Sequence, residues 1–234
     1  MHRPVLIAAL SLALGAGVAV APAVAQDTRP GVAVLPFENG GSYGRDREDL
    51  EAMRRGIAGI LIAELARHQG IRLVDRAETQ RLLDEQNLAA SGRVDAATAA
   101  RVGRLVGARF MIAGTFLDLY GDFRIDARII DVETGEILTV VRSDPRLRDR
   151  RELYRLIQSV AERITAEARF PVAGAAAAAP ARDIPTDALT HFSRALLHED
   201  RGDRAKATEY YQRALQVFPE FTEASEGLRK VRRQ

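Results

Sequence analysis

Cysteine is absent from the chain. That excludes disulfides, a thiolate nucleophile, Cys-ligated metal sites and lipoprotein processing, which needs a cysteine to carry the lipid. Histidine is scarce, with four in 234 residues. His191 and His198 fall on one helical face, but no carboxylate trio stands at ligand spacing, so no metal ligands are assigned. No Ser/His/Asp order can be assembled either. Neither sign of charge is in excess: 34 Lys+Arg face 32 Asp+Glu, a net charge of +2. Such a balance argues against a general nucleic-acid binder despite a pI near 9.2. A hydrophobic share of 47% beside 28% charged residues suits a folded globular protein.

The one long apolar run lies at the start. His2 and Arg3 precede Val5–Val20, and Ala23-Val24-Ala25 forms an A-x-A site before Gln26. This is the pattern of a cleavable secretory leader over residues 1–25, and it predicts a periplasmic mature protein. Loss of Arg3 would leave 33 basic residues against 32 acidic, or +1.

Periodicity then organises the chain. Val32–Phe37 reads as a buried strand, Glu38–Arg47 as a glycine-bearing loop, and Glu48–His68 as a helix. The helix buries Leu50, Met53, Ile57, Ile60, Leu61 and Leu65. Ile71–Val74 is a short strand leading to a helix marked by Leu82, Leu83, Gln86 and Leu88. Asp95 is placed to cap another, whose inner face is Ala99, Val102, Leu105 and Val106 and which stops at Gly107. The period then falls to 2. Phe123, Ile125, Ala127 and Ile129 alternate with Arg124, Asp126 and Arg128, after a hairpin signal at Gly121-Asp122. Glu133–Glu136 turns the chain into Ile137–Val141, and Asp149–Phe170 is a second long amphipathic helix. The fold class is α/β (α+β), a mixed five-stranded sheet with packed helices. With Arg124, Asp126 and Arg128 on one face, no lipid-facing alternation is left, so no pore is expected.

The segments LVDRAETQRLLDEQNLAASG, GRLVGARFMIAG and DVETGEI, with VAVLPFENGG before them, resemble the CsgG-like family of curli production assembly/transport components. The resemblance runs from about Gly31 to Phe170 and implies that family's fold over residues 26–170. Curli-type channel subunits are lipid-anchored. Without a cysteine, this chain departs from them there and has no lipid anchor.

Residues 171–186 are an Ala/Pro linker. Within 187–234, Ala188–Phe221 resembles one tetratricopeptide repeat. Gly202-Asp203 forms the turn, and Ala207, Tyr211, Ala214 and Pro219 follow at the repeat's offsets. His191, Arg194 and His198 stand where large apolar residues are usual. Thr222–Val231 is a capping helix with Gly227 a weak spot. A lone helix pair cannot bury its apolar faces, so the module must pack on the first domain, on another copy or on a partner. Leu189, Phe192, Leu196, Glu199 and Tyr210 are the partner-binding candidates.

The Glu38–Gly44 loop lacks Gly-Lys-Ser/Thr and a G-x-G-x-x-G, so it reads as a surface loop rather than a phosphate cradle. Asp75, Glu78, Asp84 and Glu85 are explained by ion pairing and helix ends. The basic C-terminus suits the helix dipole, the alternative being an anionic envelope surface. No catalytic, cofactor or metal residue is assigned. The expected function is a non-enzymatic periplasmic scaffold or adaptor in envelope assembly or curli-like secretion. Its partner is an envelope or secretion-system protein, with self-association and a peripheral outer-membrane contact compatible with it. The alternatives are a regulator of a periplasmic cell-wall enzyme and a nucleotide-binding protein or enzyme using the 38–44 loop.

Overall fold

The alternation through residues 122–131 fixes a strand with one wet and one dry face, and the sheet grows outward from it. The structure, a computed structural model, describes residues 27–42, 47–86, 95–168, 170–171 and 182–233. The leader, Leu88 and most of the Ala/Pro linker lie outside the described residues. The strands are β1 (Gly31–Val34), β2 (Glu38–Asn39), β3 (Arg72–Leu73), β4 (Phe110–Leu119), β5 (Asp122–Asp131) and β6 (Ile137–Arg142). The helices are α1 (Arg47–Leu65), α2 (Arg76–Glu85), α3 (Ala96–Leu105), α4 (Leu153–Glu167), α5 (Thr186–Asp200), α6 (Arg204–Val217) and α7 (Thr222–Arg233).

The sheet order is β3-β1-β4-β5-β6. β1 runs parallel to β3 and β4, and β4, β5 and β6 are antiparallel, so the sheet is mixed as expected. The expected strand at Val32–Phe37 stops at Val34. Pro36 has no N–H for the ladder, yet β2 rejoins β4 with Glu38 opposite Thr115. Part of the expected loop after Phe37 is therefore strand.

Each face of the sheet carries its own apolar cluster. On one, Val32, Ile112, Phe116, Phe123, Ile125 and Val141 meet α1 and α4, and this cluster continues without a break into α5, α6 and α7. On the other, Ala33, Met111, Ala113 and Ile130 meet α2 and α3.

Asp75 and Asp95 cap α2 and α3, Asp75 accepting from the N–H groups of Ala77 and Glu78 and Asp95 from Thr98. Leu105, expected on the inner face of α3, is 54% exposed. It lies about 60° around the helix from Val102, about 100° from Val106 and about 120° from Ala99. Gly103 takes the inner place instead, where a Cβ would come within 2.8 Å of Met111. The first hairpin turn is Tyr120-Gly121, one residue earlier than the sequence signal, because Leu119 pairs with Asp122. Both turn residues have positive φ, 55° and 101°, as a two-residue I′ turn requires.

Candidate partner-binding slot between the sheet domain and the helical hairpin

α1 is buried along two stripes. The sheet-facing stripe is the expected one: Leu50, Met53, Ile57, Ile60, Leu61 and Leu65. The second is made of small residues that let another helix approach. A Cβ at Gly56 would overlap the Ser193 hydroxyl and stand 2.7 Å from its Cβ, and one at Gly59 would stand 3.0 Å from Leu196. α5 therefore lies directly on α1, and the hairpin packs on its own domain.

Charge fixes the same junction. Asp200, at the end of α5, receives Arg55 of α1 at 2.7 Å and Arg76 of α2 at 2.8 Å. Arg76 also approaches Glu199, and both carboxylates hold its pKa above the ordinary arginine value although burial works to lower it. Glu199 accepts the Tyr211 hydroxyl at 2.5 Å and pairs with Lys230 of α7 at 3.1 Å. Burial, then the Glu199 charge, pushes the Tyr211 phenol up, so it stays a neutral donor. On the far flank Arg182 bridges Glu64 of α1, at 3.1 Å, and Glu223 of α7, at 2.7 Å. Tyr154 also donates to Glu64. Such partly buried pairs fix geometry more than they add stability.

Between these clamps a slot of ≈210 Å³ stays open. Ile62, Phe192 and Leu196 line its apolar side, and Asp75, Glu226 and Lys230 are among its charged wall. Gly227, read as a weak spot, has a packing role: a Cβ there would overlap the Tyr211 ring.

Three of the five sequence-chosen residues, Phe192, Leu196 and Glu199, line this slot. Leu189 is 2% exposed and belongs to the core. Tyr210 lies apart from the slot, stacked on His198 (5.4 Å, 4°) and His191 (6.2 Å, 28°), with Arg194 and Arg213 over its ring. The two histidines thus pack by stacking on Tyr210. Burial lowers the pKa of both, helped by Lys206 at His198 and by Arg213 and Arg194 at His191. Sequence reasoning missed Arg55 and Asp200. Their partners are 124 to 145 residues away, beyond any local pattern.

The described part of the 38–44 loop spends its N–H groups internally. Gly40 donates to the Phe116 carbonyl, and Gly41 and Ser42 donate to the Asn39 side chain. Those groups are therefore not offered to a phosphate. Tyr43 and Gly44 lie outside the described residues. Among the described residues no helix is long and apolar enough to cross a membrane.

Residues 18–119 match the family of the curli production assembly/transport component CsgG, somewhat less than half of the chain. No curated protein matches the sequence. Solved structures similar to it include the LpoB C-terminal domain from Escherichia coli, 16% identical with a TM-score of 0.35 over 48% of this chain and 79% of that one. Lipoprotein GNA1162 from Neisseria meningitidis is 16% identical, with a TM-score of 0.37 over 58% of this chain and 96% of that one. A PelC dodecamer from Paraburkholderia phytofirmans is 14% identical, with a TM-score of 0.32 over 59% and 86%. The CsgG match takes in β1 through β4 with α1, α2 and α3, and it stops before the rest of the meander, α4 and the helical hairpin.

Proposed function

We propose that this protein is a non-enzymatic adaptor of the cell envelope that holds a protein partner at the slot between α2, α5 and α7. The carrying observation is the slot itself: it is preformed, apolar on one side and charged on the rim, as a site for a partner's side chain should be. The family match over residues 18–119 supports an envelope secretion or assembly process of the curli kind. Export to the periplasm by the 1–25 leader belongs to this proposal, and N-terminal sequencing should find Gln26 first. So does a tetratricopeptide-type origin for the hairpin, supported by the burial of Ala207, Tyr211 and Ala214 against α5 and α7.

The test is affinity capture from envelope extract with the full chain, read by mass spectrometry. Ala77→Arg, on the slot wall, should abolish retention of the partner. Arg151→Ala, 87% exposed and elsewhere, should leave it intact. Identical capture by both variants would remove the slot from consideration, and turnover of a small molecule by the purified protein would end the adaptor proposal.

A further inference from the structure

The helices on the α2–α3 side are too short for the sheet they cover. Ten residues of helix span about 15 Å, whereas ten residues of strand span about 33 Å. α2 and α3 cover Ala33, Met111, Ala113 and Ile130. The same face then runs on through Leu117 and Leu119 of β4, Arg124 of β5, and Val140 and Arg142 of β6. Among the described residues no helix packs over this half, and Leu119 and Val140 are 42% and 50% exposed.

A groove of ≈800 Å³ opens there, shares no residue with the slot, and is walled by the segment after β6. The wall is fixed in place. Asp144 N–H donates to the Ser159 hydroxyl, the Arg148 carbonyl accepts from Phe123, and Leu147 N–H donates to the Asp144 carbonyl. Four arginines line the groove, Arg124, Arg142, Arg148 and Arg163, against two aspartates, Asp122 and Asp144. Arg163 is committed locally, 3.3 Å from Glu167 and donating to the Arg142 carbonyl at 2.9 Å, and the other three are paired more thinly. Arg124 and Arg142 share the single carboxylate of Asp126, at 2.6 and 3.8 Å, and Arg148 stands 3.3 Å from Asp122. A guanidinium has five donors, so each keeps N–H groups for another carboxylate.

We infer that this groove is a second docking surface, and that its occupant is an extended peptide segment alternating apolar and acidic side chains. The apolar side chains lie on Leu117, Leu119 and Val140, and the carboxylates reach Arg124, Arg142 and Arg148. Direct addition of a strand to the β6 edge is disfavoured. The register shift opposite Ile129 and Ile130 puts an extra residue into β6, and such a bulge twists an edge away from partners. The segment therefore lies across the face.

The probe is a labelled decapeptide alternating valine and glutamate, with a valine–lysine counterpart, titrated into the full chain by fluorescence anisotropy. The acidic peptide should bind, weaken as salt is raised, and lose about tenfold in affinity in Arg124→Glu and in Arg148→Glu. Arg151→Glu, outside the groove, should bind as wild type, and thermal melts of all three variants check folding. Four results overturn the inference: equal binding of both peptides, no binding of the acidic one, indifference to Arg124→Glu and Arg148→Glu, or binding of phosphatidylglycerol vesicles in its place with the same mutational loss. None of these depends on the slot, whose own test reads Ala77→Arg.

Discussion

Gly56→Ala is the sharpest test of whether the helical hairpin is seated on α1. In an exposed helix interior the change should stabilise by about 1 kcal/mol, because glycine is a poor helix former. Here the new methyl group would overlap the Ser193 hydroxyl and press on its Cβ at 2.7 Å. That hydroxyl is itself committed to the Leu189 carbonyl at 2.7 Å, so it cannot simply turn away. Overpacking of this kind costs about 1–3 kcal/mol. The opposing effects leave a net loss of about 1 kcal/mol, or a fall of roughly 2–4 °C in melting temperature for a chain of this size. Urea unfolding followed by circular dichroism would measure it. The companion variant Ser193→Gly removes the obstructing atoms, and in the double mutant part of the loss should return as a coupling energy. If Gly56→Ala stabilised the protein as at a free surface, α5 would not be resting on α1 and the slot would have no wall.

Asp200→Ala should be costlier, since it removes the shared carboxylate from two guanidiniums that are only 12–13% exposed, leaving Arg55 with Glu51 at 2.6 Å and Arg76 with Glu199 at 3.9 Å. We expect a loss of about 2–3 kcal/mol, below that of a fully buried pair because some water reaches both arginines, and denaturation would show it. Tyr120→Asn should stabilise by about 0.5–1 kcal/mol, because asparagine tolerates the φ of 55° at that exposed turn and tyrosine does not; an unchanged melting temperature would count against the I′ turn. Burial holds the His198 and His191 imidazoles below the ordinary 6.5. Below that pH the unfolded chain binds more protons than the folded one, so stability is full above about 6.5 and is lost as pH falls through it. His198→Gln should flatten this dependence in melts taken from pH 7.5 to 5, and an unaltered slope would place the acid sensitivity elsewhere.

What could be read from the letters and what could not divide along physical lines. The meander was legible because alternation of Phe123, Ile125, Ala127 and Ile129 with charged residues permits one register only. Asp95 was legible as a cap because a cap is a local device, whereas Asp75 read only as a charge at a helix end. Leu105 misled because a leucine beside Val106 looks like core until the helix phase is fixed by where glycine admits a neighbour. The slot was half visible. Phe192, Leu196 and Glu199 stood out on the hairpin, but the wall from Asp75 and Ala77 comes from chain more than a hundred residues away. Gly56 and Gly59 did leave a trace, as two helix-weakening residues spaced three apart in a helix that forms regardless. The destination of Arg76 left none: a basic residue beside Glu78 looks locally satisfied, and only the fold brings Asp200 to it.

The two buried stripes of α1 have a practical consequence for dissecting this protein. Cutting the chain before residue 186 would not yield a tidy smaller protein lacking a tail. It would open the furrow at Gly56 and Gly59 to water and take Asp200 away from Arg55 and Arg76, so any activity lost would report on a damaged α1. Roles for the hairpin are better assigned by replacing single side chains at its rim, with the helix pair left in place.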